Sequence, residues 1–197
     1  MRLTLIALSF FIMAHAASQK REKFVSVAVT NQHSAYPFSA FKNLFTKEFN
    51  PGVEVGYGFN WKTKPKHDWY QTFTAGYFYH RFVQHAVPLY TQLGYRYKLQ
   101  RLYLTAALGA GYLHSLPASA VLELQEDGTY KNAKGIGRGQ ALVLFSTGAG
   151  YAFKKTAPAP SVFIHYRQQV QTPFINSYVP LLPYNGIAIG ISIPVKK

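Results

Sequence analysis

The 197-residue sequence predicts an all-β protein, an eight-stranded antiparallel up-and-down β-barrel that spans a membrane. Three observations predict this class. Apolar residues alternate with small or polar ones at a two-residue period, in segments of roughly ten residues. Turn signals separate these segments. Beyond residue 19, no apolar run approaches the roughly 18 residues that a transmembrane helix requires.

The first residues have the pattern of a secretory signal peptide. Arg2 precedes an apolar run over residues 3–13, and the triplet Ala14-His15-Ala16 supplies small residues for cleavage. The alternative, an N-terminal core helix, does not account for this cleavage pattern. We therefore predict a cleaved signal peptide over residues 1–18 and an outer-membrane β-barrel domain over residues 19–197.

Composition narrows the class of partner. Lys and Arg number 21 against 7 acidic residues, so the chain favours an acidic partner such as nucleic acid, phosphorylated lipid headgroups or an acidic substrate. Export argues against nucleic acid, which leaves membrane lipids and lipopolysaccharide as the predicted partners. The chain has no cysteine. Disulfides, thiolate chemistry and a cysteine-linked lipid anchor are therefore excluded.

The alternating segments give eight strands, an even number that lets a barrel close with both termini on one side. With the N-terminus in the periplasm, the long connections over 31–52 and 115–140 fall outside the cell, and short turns such as 63–68 and 100–101 face the periplasm. The predicted strands cover residues 23–30, 53–62, 69–82, 88–99, 102–114, 141–153, 162–171 and 187–195.

The stretch "VEVGYGFNW" at 53–61 shows how the two faces differ. Its first face carries Val, Tyr, Phe and Trp, and the other carries Glu, Gly and Asn. We expect the apolar face to meet lipid. The other face points into a bore so narrow that inward positions need glycine. The main rival fold, a soluble lipocalin-like barrel, would have an apolar interior and a polar exterior, which reverses this assignment.

Polar residues on the inward faces predict a plug of side chains in the lumen. Glu54 is the acidic residue of the predicted strands, and a buried carboxylate needs a cationic partner. The inward candidates for that partner are Arg96 and Arg167. The predicted plug consists of Glu54, Gln92, Arg96, His165, Arg167 and Gln169.

Over residues 23–195, this pattern resembles the small eight-stranded outer-membrane barrels of Gram-negative bacteria. The resemblance implies an outer-membrane location, insertion by the outer-membrane assembly machinery and surroundings of lipopolysaccharide. We also predict that the protein has no cofactor.

One local stretch is similar to the end of the lipid A deacylase barrels. It consists of "FIHYRQQVQ" at 163–171, followed by "PYNGI" at 183–187. In those enzymes a serine attacks a lipid A ester, a histidine acts as base and an acidic residue orients the histidine. His165 matches the base, but Arg167 occupies the serine position. No Asp or Glu follows Asp127, so the orienting acid has no counterpart there.

Two functions follow from these observations. The first is a non-catalytic barrel, anchored among lipopolysaccharide, with outer loops available for partner or lipid contacts. The alternative is a lipid A-modifying esterase with a divergent site, in which His165 is the base and Glu54 the orienting acid. We predict no metal site, because His80 and His85 point to opposite faces of a strand. The stretch 38–49 is interpreted either as a short amphipathic helix at the membrane surface or as a loop.

Overall fold

The computed structural model describes residues 21–36, 42, 44, 49–119, 122–132, 135–155, 158–174 and 180–195. The predicted signal peptide lies outside these residues, as does most of the stretch 38–49. The strands are β1 (Lys23–Ser34), β2 (Pro51–Thr63), β3 (His67–His80), β4 (Gln84–Leu99), β5 (Leu102–Pro117), β6 (Leu122–Leu124), β7 (Tyr130–Asn132), β8 (Arg138–Ala152), β9 (Ser161–Thr172) and β10 (Leu182–Val195).

Eight of these strands form a closed barrel in the order β1-β10-β9-β8-β5-β4-β3-β2. All neighbouring pairs are antiparallel, and β1 closes the barrel on β10 with Val27 opposite Ile191. Every predicted strand is present, which confirms the eight-stranded up-and-down barrel. No helix within the described residues is long and apolar enough to cross a membrane.

Several strands run further towards the long-loop end than predicted. β1 continues to Ser34 and β10 begins at Leu182, because Gln32 and Ser34 still pair with Gly186 and Tyr184. Here polar residues replace the alternating apolar ones, so the pattern loses contrast although the backbone pairing continues.

The start of β4 was also predicted too late. The proline at position 88 has no backbone N–H, which favours a strand boundary. The β3–β4 pairing is interrupted between Ala75 and Phe78, opposite this position, but β4 keeps its pairing with β5 as far as Gln84. The proline therefore interrupts one ladder and leaves the strand intact.

A small hairpin, β6–β7, lies in the connection that the sequence predicts to be a long loop. Its turn contains Asp127 and Gly128, and Gly128 has a φ of 78°. The Asp127 carboxylate accepts hydrogen bonds from the hydroxyl and the backbone N–H of Thr129, which lower the pKa of the Asp127 carboxyl. An Asp-Gly pair is a known hairpin signal, so the sequence carried evidence for this element.

The exterior of the barrel is apolar and its interior is polar. Val29, Leu108 and Ile189 are 60%, 66% and 53% exposed, whereas Gln84 and Gln171 are buried in the lumen. A soluble barrel would have the opposite arrangement, because exposed apolar surface of this extent is unfavourable in water. The structure therefore excludes the lipocalin-like alternative and agrees with a barrel surrounded by lipid.

Inward glycines make room for aromatic rings from neighbouring strands. A Cβ atom on Gly94 would overlap the ring of Tyr70, and one on Gly150 would overlap the ring of Tyr103. These rings lie across the bore at the level where the glycines leave space. At these two positions the inward glycine therefore serves ring packing inside the lumen.

The connections differ in length between the two ends of the barrel. Residues 64–66, 100–101 and 153–160 link strands at the short-turn end, and residues 35–50, 81–83, 118–137 and 173–181 link them at the long-loop end. Outer-membrane barrels carry short periplasmic turns and longer extracellular loops. We therefore assign the short-turn end to the periplasm.

Trypsin added to intact cells is expected to cut after Lys131 in the β6–β7 hairpin and to spare the 64–66 turn, since that turn faces the periplasm. Cleavage after Lys66 is expected only after the outer membrane is permeabilised, and fragment masses identify both sites. Cutting after Lys66 in unbroken cells would reverse the proposed orientation.

Candidate functional site: the polar lumen

A buried ion pair crosses the middle of the lumen. Arg167 on β9 donates a hydrogen bond from Nη1 to Oε1 of Glu54 on β2 at 2.5 Å. The second carboxylate oxygen accepts a hydrogen bond of 3.1 Å from the hydroxyl of Tyr90. Glu54 and Arg167 are each only 6% exposed. β2 and β9 are not neighbours in the barrel, so the pair joins strands across the bore.

The environment of this pair holds both charges in place. The Arg167 guanidinium carbon lies 5.4 Å from the centre of the Tyr90 ring, whose hydroxyl also contacts Glu54. Tyr90 therefore provides a cation–π contact to one partner and a hydrogen bond to the other. A buried charge costs several kcal/mol unless it is paired, so removal of either partner would strand the other.

Amide side chains fill the long-loop half of the lumen. Gln169 Nε2 donates to Gln32 Oε1 at 2.7 Å, and Gln84 Nε2 donates to Gln171 Oε1 at 2.9 Å. Ser115 also donates a hydrogen bond to Gln84. Apolar side chains pack beside these amides and complete the filling of this half: Phe78, Leu113, Leu142, Leu144 and Tyr184.

His165 lies in the half of the lumen nearer the short turns. Its Nε2 is 3.2 Å from the Thr105 hydroxyl, and its ring stacks on Phe163 with the ring centres 4.6 Å apart. Gln92 on β4 donates a hydrogen bond of 2.8 Å from Nε2 to the hydroxyl of Ser146 on β8, with β5 between the two strands. These groups hydrogen-bond to one another inside the barrel wall and face away from the surrounding lipid.

Arg96 closes the lumen at the short-turn end. Its guanidinium carbon lies 5.5, 5.0 and 5.0 Å from the ring centres of Phe24, Tyr70 and Tyr103. Asp68 supplies a carboxylate 3.8 Å away, and that carboxylate also accepts a 2.8 Å hydrogen bond from Lys98. Aromatic rings around a cation provide cation–π attraction, so this cage holds the guanidinium inside the barrel.

The structure brings Glu54 together with Arg167, and it places Arg96 in a different layer with Asp68. Asp68 was predicted to lie in a turn, with Glu54 as the acidic residue of the strands. The position predicted for Asp68 was wrong. β3 begins at His67, and Asp68 is buried in phase with the inward Tyr70. The two-residue period, extended back from Tyr70, would have identified it.

The other predicted plug residues also lie in the lumen. Gln92 and His165 lie between the ion pair and the Arg96 cage, and Gln169 lies on the long-loop side of the ion pair. Tyr90, which both charges contact, is not among the predicted plug residues. Its inward position follows from the same alternation that marks Gln92.

The enzyme alternative requires Glu54 to orient His165. His165 contacts the Thr105 hydroxyl, and the Glu54 carboxylate contacts Arg167 and Tyr90. An orienting acid would have to accept a hydrogen bond from the histidine ring.

Among the residues that the structure describes, no group of three or more His, Cys, Asp or Glu side chains is placed to hold a metal ion. His80 and His85 belong to opposite faces, with His80 buried and His85 against exposed Tyr77.

Comparisons with known proteins support the fold. The barrel aligns with the crystal structure of Neisserial surface protein A over 89% of this chain and 97% of that one, with 9% identity and a TM-score of 0.50. The chain has the fold of the small eight-stranded outer-membrane barrels. The predicted fold class is thus confirmed, and this fold agrees with the predicted outer-membrane location. No family model matches the sequence, and no curated protein matches it.

Two further solved structures align with the barrel. The outer-membrane enzyme PagL aligns over 87% of this chain and 99% of its own, at 12% identity and a TM-score of 0.49. Ail, the attachment invasion locus protein of Yersinia pestis, aligns over 89% and 97%, at 12% identity and a TM-score of 0.44.

Replacing Glu54 with Gln is expected to lower the free energy of unfolding by about 3–5 kcal/mol, because the Arg167 charge stays buried without a partner. Adding Arg167→Met removes that charge and should restore part of the loss. Urea unfolding of the protein in detergent micelles measures both effects.

Asp68→Asn is the matched control for this series. Lys98 and Arg96, the partners of Asp68, keep 21% and 20% of their side-chain surface exposed, so water can solvate their charges after the change. A smaller loss is therefore expected for Asp68→Asn. An unchanged stability of the Glu54→Gln variant would contradict a structural role for the central pair.

Proposed function

We propose that this protein is a non-catalytic integral outer-membrane barrel with a sealed lumen, which holds its outer loops at the cell surface. The observation that carries the proposal is the ion pair of Glu54 and Arg167 across the bore, joined by Tyr90. A catalytic or transporting lumen needs groups free to bind a substrate. Here the central charged groups bind one another.

The packing of the lumen supports a sealed barrel. The bore of an eight-stranded barrel is only wide enough for side chains to fill. The glutamines occupy one half of it, the central pair the middle, and the Arg96 cage the other end. A solute would have to displace paired buried charges to pass.

The exterior of the long-loop end supports anchoring among lipopolysaccharide. Arg81 lies 5.2 Å above the ring of exposed Phe82, and Arg138 lies 5.9 Å from the ring of Phe174. Guanidinium groups beside aromatic rings at an interface suit phosphorylated headgroups, since Arg pairs with phosphate in bidentate fashion. The proposal includes removal of residues 1–18 as a signal peptide and insertion by the outer-membrane assembly machinery.

The outer loops present apolar side chains to solvent, which suits contact with a partner or with lipid. Tyr130 and Ile136 are 68% and 89% exposed. The backbone carbonyl of Ile136 accepts a hydrogen bond of 2.8 Å from Nε2 of His114 on the barrel wall. The loop before β8 is thus attached to the barrel beside its exposed apolar residue.

The purified protein is expected to show no stable, large conductance steps in planar lipid bilayers, because paired side chains fill the bore. Recordings should include a known large-pore porin as a positive control for insertion and detection. Reproducible large steps from this protein would contradict the sealed lumen.

Lipid A mass spectra from cells with and without the gene are expected to be the same, since a non-catalytic barrel removes no acyl chain. The esterase alternative predicts loss of an acyl chain only when the gene is present. An acyl-chain loss that depends on the gene, and that folded His165→Ala and Glu54→Gln variants no longer cause, would contradict our proposal and support the esterase.

A further inference from the structure

The exposed basic side chains of the described residues are concentrated at the short-turn end of the barrel. We use the name basic collar for the half-buried Arg21 together with five exposed residues: Lys62, Lys66, Arg101, Lys154 and Lys155. The described acidic residues at this end are Glu22 and Asp68. Glu22 accepts a hydrogen bond from Asn60, and Asp68 is engaged by Lys98. The collar therefore carries a large excess of positive charge.

Two members of the collar are attached to aromatic side chains on the lipid-facing exterior. The Arg21 guanidinium lies 4.2 Å from the ring centre of Trp61 and 5.1 Å from that of Phe59. Arg101 donates a 3.1 Å hydrogen bond from Nη1 to the hydroxyl of Tyr151. Trp61 and Tyr151 are 38% and 39% exposed, as expected of residues in an interfacial aromatic girdle.

This arrangement fixes the depth of the charges. Trp and Tyr lie at the level of the lipid headgroups, where their polar atoms meet water and their rings meet acyl chains. A guanidinium held against such a ring lies at the height of the lipid phosphates. Arg is well suited to phosphate because its planar group donates two parallel hydrogen bonds.

We propose that the short-turn end of the barrel binds the anionic phospholipid headgroups of the periplasmic leaflet, with Arg21 and Arg101 as the contacting residues. The lysines of the collar add longer-range attraction to the same surface. This inference goes beyond the proposed function, whose lipopolysaccharide contacts lie at the opposite end. It depends on the membrane insertion of the barrel and not on its lack of catalysis.

The chain contains a natural reporter for this end. It has 2 tryptophans, and both lie at this end. Trp61 is near the end of β2, and Trp69 on β3 pairs with Lys62, the residue after Trp61. Trp fluorescence therefore reports the lipids around the collar. The protein is reconstituted into vesicles of equal phosphatidylcholine and phosphatidylglycerol, with brominated acyl chains on one lipid or the other.

Brominated phosphatidylglycerol is expected to quench the tryptophans more strongly than brominated phosphatidylcholine, with an association ratio of about two to five. Each basic residue near an anionic surface multiplies association by roughly fivefold, and salt screening reduces this factor. Equal quenching by the two lipids would overturn the proposal and would leave the collar to a soluble acidic partner.

A pair of double variants locates the effect. Arg21→Gln with Arg101→Gln should lower the ratio and leave only the smaller preference that the lysines provide, whereas the matched change at the other end, Arg81→Gln with Arg138→Gln, should leave it unchanged. The ratio is taken within each variant, because Arg21 lies on Trp61 and its removal alters the emission. An equal loss in both double variants would overturn the assignment to Arg21 and Arg101.

Salt titration tests the wild-type protein even where a variant fails to fold, which the gel mobility of boiled and unboiled samples reveals. Sodium chloride should lower the ratio by screening, and a ratio insensitive to salt would overturn an electrostatic site. Inorganic phosphate at equal ionic strength should lower it no further. An additional loss in phosphate would mean that the collar takes free phosphate, contrary to the proposal. The conductance and lipid A experiments test the proposed function separately, so either proposal can fail without the other.

Discussion

Closure of eight strands leaves a bore that side chains have to fill, and this constraint determines most of what the interior contains. Glycines occupy inward positions where a ring from the next strand needs the space, as Gly94 does for Tyr70. The rings in turn surround Arg96. The closed barrel leaves little space inside, so a charge that enters the lumen has to find its partner among other side chains.

The sequence predicted the barrel because alternation survives wherever one face meets lipid and the other a narrow lumen. It lost accuracy where that contrast fades. β1 extends to Ser34 through polar residues, and β4 begins before its proline. Both of these ends lie towards the long-loop end, and both strands were predicted too short there. The β6–β7 hairpin forms a separate two-stranded sheet outside the barrel and was predicted as part of a loop.

The plug was predictable in its members but only partly in its pairs. Alternation alone shows that Glu54, Arg96 and Arg167 point inward. The choice between the two arginines depends on the vertical stagger of strands that are far apart in sequence, and a single strand pattern does not contain that stagger. Asp68 was missed for a simpler reason: it stands at a strand end, where turn residues and inward residues have the same composition.

The span of the central pair has a consequence for how the barrel assembles. Glu54 and Arg167 are 113 residues apart and lie on strands that do not neighbour each other. Hairpins can form early from adjacent segments, but these two groups meet only when the wall bends round and β1 reaches β10. Until then each is an isolated charge on an open sheet. The ion pair thus stabilises only the closed barrel and leaves partly paired intermediates less stable. This makes closure, the last step of insertion, strongly cooperative.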